Sequence, residues 1–560
     1  MVSDAKGAVA LGSRRAGTEG LWQIGGLLIA LAVGLPILAV VWLAVFPSEN
    51  IWPHLFETVL WDYIETTVRL MVGVAIGSAV IGVGTAWLVT TAEFPGRRVF
   101  QWALMLPLAA PTYIVAYVYT DLLEFAGPFQ SVLRDAFGWT SARDYWFPDI
   151  RTVGGAVAMM TLTLYPYVYL LARAAFLEQA GITREVSRTL GAGPWRTFWR
   201  VALPLARPAI VVGVTLALME TLNDFGTVDY FAVRTLTAGV FNVWLTMGNV
   251  GGGAQIALVM LGFVVLLILL ERLERRRRRY HTLATRHRRA RRASLGAAAR
   301  WTAFAACLAP VAFGFLLPGG VLLKNAVLFA SESWSSRFPD FAINSLLLAG
   351  GAALLCVTLA TFLAYAVRLR GGRILSGAAR FASLGYAIPG AVLALGILIP
   401  FGAFDNAFDG WVRDTFGVST GLLLSGTVAA VMFAYVVRFF ALSYGALESG
   451  LGRIKPSMEM AARTLGEGPT GTLRRVHLPL MKGTLLTAAL LIFVDVMKEL
   501  PATLLLRPFN FDTLATYVYQ FGSSEQLELS ALGALTIVAV GLVPVVLLNQ
   551  AVARDPSEVI

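Results

Sequence analysis

A polar stretch set between long apolar runs occurs twice in this chain. Residues 185–205 read EVSRTLGAGPWRTFWRVALPL and residues 460–480 read MAARTLGEGPTGTLRRVHLPL. At one offset of 275 residues, Arg188/Arg463, Thr189/Thr464, Leu190/Leu465, Gly191/Gly466, Gly193/Gly468, Pro194/Pro469, Thr197/Thr472, Arg200/Arg475 and Pro204/Pro479 are identical. An ungapped match of this kind marks an internal repeat, so the fold must hold two copies of one unit.

What surrounds the repeat fixes the fold class. Of 560 residues, 57% are hydrophobic and 14% charged, against about 25% charged in soluble domains. Apolar windows long enough to cross a bilayer fall near residues 22–45, 65–92, 100–123, 152–176, 206–225, 253–271, 301–323, 342–368, 379–402, 419–446, 482–500 and 530–550. The expectation is an all-α polytopic membrane protein of about twelve transmembrane helices, arranged as two six-helix repeats. Residues 1–21 form a tail, 22–271 the first repeat, 272–300 a basic linker, 301–551 the second repeat and 552–560 a second tail.

Charge gives the orientation. Net charge is +11. The arginines sit beside apolar runs, at Arg97, Arg98, Arg184, Arg188, Arg196 and Arg200, in the tract from Arg272 to Arg292, and at Arg370, Arg373 and Arg380. Under the positive-inside rule these loops and both termini face the cytoplasm of a bacterial inner membrane, near anionic lipid. The opposite loops carry Glu49, Glu57, Asp62, Asp121, Asp149, Asp405 and Asp409. Arginines placed this way answer to a membrane, and nucleic acid is not expected as a partner. The tract ERRRRRYHTLATRHRRARR repels itself and reads as a solvated linker, with a lipid-binding or regulatory patch as the alternative. Lys6, Arg14 and Arg15 precede an apolar run from Leu21 to Phe46 that is too long for a cleavable signal core, so an uncleaved first span is expected.

Each polar copy reads as two short helices. The first ends at Gly191 or Gly466, and Pro194 or Pro469 opens the second. The spacing of Glu185, Gly191, Val201, Leu203 and Pro204 resembles the EAA loop of importer permeases in the ATP-binding-cassette family: E-A-A, three residues, G, nine residues, I, one residue, L-P. That resemblance implies a coupling helix seated in a groove of a separate cytoplasmic ATPase subunit, a dimer of which would accept both loops. Glu185, Gly191 and Pro204 carry the pattern in the first copy, and Glu459, Ala461, Ala462, Gly466 and Pro479 in the second. The copies depart from it differently. Val186 and Ser187 replace the two alanines in the first, while Met460 takes the glutamate position in the second and Glu459 lies one residue early. An ordinary interhelical loop duplicated by gene fusion is the plain alternative.

Catalytic chemistry finds no support in the chain. GxxxxGK[ST], HExxH and CxxC are all missing, His54, His281, His287 and His477 are scattered, and Cys307 and Cys356 lie inside apolar segments. Neither a metal centre nor a cofactor is expected, and ATP hydrolysis falls to another subunit.

The informative ionisable groups stand on the fifth and eleventh spans. Glu220 and Asp224 in METLNDFGTVDYF are spaced i, i+4, and Asp495 and Glu499 in FVDVMKELPATLLLRPFNF repeat the spacing, which predicts one shared helical face in each half. At about 1.5 Å per residue, Glu220 and Asp495 lie about 20 Å from the loop ends of their spans. A carboxylate facing lipid there costs several kcal/mol, so these groups either pair with bases such as Lys498, Arg234 or Arg507, or line a cation path that Asn223 and Tyr230 extend. The stretches ETLNDFGTVDYF and MKELPATLLLRPFNFDTLA resemble fused two-repeat permeases of ferric iron importers. This implies an extracytoplasmic solute-binding protein and paired ATPase subunits as partners. Thiamine permeases share the fused layout and remain an alternative. A secondary transporter driven by an ion gradient is the rival from another class, although it has no use for two EAA-like loops. A channel would need a fourfold filter repeat that the chain lacks.

Overall fold

The computed structural model describes residues 2–179, 193–277 and 293–553. Apolar runs of this length become helices because a backbone in lipid must satisfy its own N–H and C=O groups. Among the described residues nine helices are long and apolar enough to cross a membrane, and two helix pairs reach that length and composition only when each bent pair is taken together. The pairs are Arg97–Ala109 with Thr112–Phe137, at 89°, and Pro469–Leu480 with Lys482–Met497, at 76°. Leu527–Ala553 is the helix at the twelfth expected position. The fold is all-α, and the one extended contact among the described residues is a two-residue parallel pairing of Ala92–Glu93 with Ala293–Ser294.

Three boundaries differ from expectation, each for a backbone reason. In the third span, the turn Leu106–Ala109 is followed by extended backbone at Ala110 and Pro111 before Thr112–Leu123. Proline supplies no N–H to the preceding turn and disfavours helix in the residue before it. The ninth span repeats this break at Ile388 and Pro389, so its long helix runs Gly390–Phe416, beyond the expected 379–402. The tenth helix begins only at Val428, although apolar residues start near 419. Gly417, Gly421 and Gly426 hold φ of +69°, +63° and +67°, which a helix cannot contain. Asp405, almost fully buried, accepts hydrogen bonds from the N–H groups of Leu424 and Ser425 and from the Ser425 hydroxyl, and so holds that loop.

The chain forms two compact units: Met1–Ser48 with Pro339–Thr513, and Glu49–Phe338 with Leu514–Ile560. These units exchange elements between the repeats expected at 22–271 and 301–551. In the first unit the helix Val2–Val45 lies against Arg373–Ala382 and Gly390–Phe416. Close approach there depends on small residues: a Cβ on Gly396 would stand 2.3 Å from the Pro36 carbonyl oxygen, and one on Gly34 would stand 2.5 Å from the Phe381 ring. In the second unit Leu60–Thr91 packs along Val153–Gln179, with Gly73, Gly77 and Gly82 facing Val157, Thr161 and Tyr169. The seventh span, Ala297–Leu328, and the twelfth also pack in this unit.

Candidate functional site

Two regions hold the expected functional residues: the repeated loops and the far ends of the spans that follow them. Glu185 and Gly191 lie outside the described residues. Pro204 sits in the first α-helical turn of Leu203–Asn223, directly after the π-helical turn Phe198–Ala202. In the second copy, Pro456–Thr464 forms the first short helix, and the Gly466 N–H donates to Arg463 O at 3.1 Å and the Glu467 N–H to Ala462 O at 3.0 Å. This helix ending requires a left-handed residue, and Gly466 supplies it with φ +86°. Pro469–Thr472 opens the second short helix, and Pro479 lies in the turn Leu478–Leu480 just before the bend. A π-helical turn follows in both copies, Phe198–Ala202 and Leu473–His477, again 275 residues apart. Insertions of this kind inside helices collect at functional positions, and each is followed by the repeated Leu-Pro, whose proline gives no N–H to the helical ladder.

The second loop presents Met460 and Leu465 outward, 59% and 84% exposed, beside exposed Ala461, while Ala462 packs inward. Glu459 points inward as well. Arg368 Nε pairs with its carboxylate, and His477 Nε2 lies 2.9 Å from Glu459 Oε1. The early position of Glu459 in the repeat pattern turns its side chain onto Arg368 at the end of the eighth span.

At the far ends, the second acid of each pair stands where its long helix stops. Asp224 is the C-cap of Leu203–Asn223, its N–H still donating to Glu220 O at 3.0 Å, whereas Lys482–Met497 ends before Glu499, which stands beyond its helix. Both hold the short helix that comes next. Asp224 accepts from the Thr227 N–H at 2.8 Å and the Thr227 hydroxyl at 3.0 Å, at the start of Gly226–Tyr230. Glu499 accepts from the N–H groups of Ala502 at 3.1 Å and Thr503 at 3.0 Å, and from the Thr503 hydroxyl at 2.6 Å, at the start of Pro501–Leu506. A carboxylate at a helix N-terminus satisfies orphan N–H donors and complements the helix dipole.

Glu499 has a further partner in Arg438 of the tenth span, with Nη1 3.6 Å from Oε1 and side chains 5% and 1% exposed. Sequence reasoning passed over Arg438, although one arginine inside the apolar run YVVRFF is a legible signal. Asp495 pairs with Lys498 at 2.9 Å, and Arg507 pairs with Asp512. Glu220 and Asp495 are half-buried on their helices. The Tyr230 ring stacks edge-on with Tyr117 at 4.5 Å and lies under the Arg151 guanidinium at 4.8 Å, so it is already engaged in packing. Among the described residues no group of three or more His, Cys, Asp or Glu is placed to hold a metal ion.

The family model for the binding-protein-dependent transport system inner membrane component matches the chain twice, over residues 78–279 and 356–557. The chain belongs to this family. Both matches contain one polar loop and the acidic span after it. An Fe(3+)-transport system permease protein of Haemophilus influenzae is 26% identical over 89% of this chain and 91% of its own length. A molybdenum transport system permease protein of Escherichia coli is 28% identical over 37% of this chain and 89% of its own length. A sulfate transport system permease protein of Escherichia coli is 28% identical over 37% of this chain and 72% of its own length. The chain is thus an all-α, multi-pass transport permease built from two family repeats.

Proposed function

We propose that this chain is the permease subunit of an ATP-driven importer that moves ferric iron handed over by an extracytoplasmic binding protein. A pair of separate cytoplasmic ATPase subunits docks on the two loops, and both termini of the permease lie on that side. Glu185, Gly191 and Pro204 serve the first loop, and Ala461, Ala462, Gly466 and Pro479 the second. Closure of the ATPase pair on ATP moves the loops together and opens the permease toward the binding protein.

The observation that carries the substrate is the two-repeat match: the ferric relative aligns with 89% of the chain, the molybdenum and sulfate relatives with 37%. The charges agree with a cation. Ferric iron is a hard ion that takes oxygen donors. Glu220 and Asp495 are the candidates to meet it on the path, whereas Asp224 and Glu499 set the helices beside them. The buried guanidinium of Arg438 is opposed by Glu499, so it offers an oxyanion no uncompensated charge.

The test is uptake by proteoliposomes holding the permease, its ATPase and its binding protein. Ferric iron uptake that needs both ATP and the binding protein is expected. Uptake of molybdate or sulfate in place of iron refutes the substrate, and uptake by the permease alone refutes the importer mechanism.

A further inference from the structure

The second loop is attached to its unit in a way that the first loop's sequence does not allow. Arg368, near the end of the helix Phe338–Arg370, pairs through Nε with Glu459. Its two remaining nitrogens close the end of the tenth span: Nη1 donates to Leu451 O, and Nη2 to Ile454 O at 2.7 Å. Glu459 also faces His477, which is fully buried on the π-helical turn that leads into the eleventh span. One turn back from Arg368, the Tyr365 hydroxyl donates to Pro469 O at 2.6 Å, and the Tyr365 ring lies 5.3 Å from the His477 ring. Trp22 of the first span stacks on Phe362 at 4.3 Å and meets Tyr365 edge-on at 5.1 Å. Both short helices of the loop are therefore fastened to the eighth and tenth spans, with Glu459 at the centre. The positions 275 residues earlier hold Arg184 and Ala202 in place of Glu459 and His477, so the first loop cannot build this carboxylate–imidazole contact.

We infer that Glu459 is a positioning residue, the hub of an Arg368–Glu459–His477 lock that makes the second loop move as one body with the eighth and tenth spans. Glu459 acts inside the permease; it is not a docking contact. The inference rests on the reading that both loops meet ATPase subunits. A side-chain pair 18% and 15% exposed is screened less than a surface pair, and removing one partner leaves the other uncompensated. A loop freed from its spans still binds the ATPase but transmits closure poorly.

The experiment uses the complete complex of permease, ATPase and binding protein. It measures ferric iron transported per ATP hydrolysed, ATPase co-purification, and amide hydrogen exchange over 456–480. For Glu459→Ala the expected result is normal co-purification, faster exchange across the loop, and a transport-to-hydrolysis ratio lower by about fivefold or more, the lower end of ordinary inter-site couplings. Glu459→Gln, which keeps shape and a hydrogen-bond acceptor, gives a smaller loss in the same direction and serves where the alanine variant yields too little protein. Glu185→Ala, by contrast, weakens co-purification. An unchanged ratio and exchange in Glu459→Gln overturn the lock, as does loss of ATPase co-purification in Glu459→Ala, which would make Glu459 a docking contact. A complex in which iron uptake does not depend on ATP overturns the importer reading instead, and the lock as a coupling device with it.

Discussion

Gly466 offers the sharpest test of the loop's mechanics, because the cost of replacing it is confined to the backbone. Its φ is +86°, and a Cβ built there meets no atom within 4 Å, so added bulk has room and only the left-handed conformation resists it. For an L-residue with a Cβ this conformation costs about 1–2 kcal/mol, with asparagine the best tolerated and β-branched residues the worst. The two hydrogen bonds that close Pro456–Thr464, to Arg463 O and Ala462 O, depend on it. A penalty of about 1–2 kcal/mol lowers the population of the native loop by roughly 5–30-fold relative to its alternatives. Gly466→Asn should therefore couple ATP hydrolysis to uptake almost as the parent does, Gly466→Ala should lose part of the coupling, and Gly466→Val most of it. All three should insert in the membrane and hydrolyse ATP when complexed. The assay is the ratio of iron transported to ATP hydrolysed in proteoliposomes. Equal coupling in glycine, alanine and valine would show that the left-handed turn is dispensable. A valine and an asparagine variant that fail alike would show that the loop rejects any side chain, which contradicts the open space around the glycine.

Other expectations concern the far ends of the spans. Arg438→Met leaves the Glu499 carboxylate buried without its ion partner, which costs about 3–5 kcal/mol and should sharply lower the yield of folded protein in detergent; Arg438→Met with Glu499→Gln should recover much of it. Asp224→Asn weakens the start of Gly226–Tyr230 by about 1 kcal/mol, read as a lower melting temperature of the solubilised protein, whereas Glu499→Gln also strands the buried Arg438 guanidinium and should cost about 3–5 kcal/mol. Glu220→Gln and Asp495→Asn should fold normally and slow iron uptake, and parent rates in both would remove these residues from the path. Asp405→Ala strands the buried N–H donor of Ser425 and the part-buried one of Leu424 and should expose residues 417–427 to proteolysis, at a cost of about 1–3 kcal/mol for the buried group.

How much of this could be read from the chain depends on how far apart the interacting residues lie. The duplicated loops and apolar runs are local patterns, and they gave the spans and the place of Gly466. The i, i+4 spacing of the acids was equally local but could not place the helix ends: it holds up to the C-cap at Asp224 and stops short of Glu499, since periodicity cannot say whether a helix continues. The better signal stood beside it: Pro501 two residues after Glu499, and Gly226 two after Asp224, mark helix starts that an upstream carboxylate can hold. The exchange of the first span between repeats leaves no local trace. The contact between Arg368 and Glu459 spans 91 residues and follows no periodicity either. Its consequence was nonetheless visible as a register change, with Glu459 seven residues before its glycine where Glu185 is six before its own. One residue rotates a helical side chain by about 100°, enough to carry a carboxylate from an outward contact to an inward partner. In the second loop that partner is Arg368, and the outward position is left to Met460, so the departure from the repeat pattern marks a change of role.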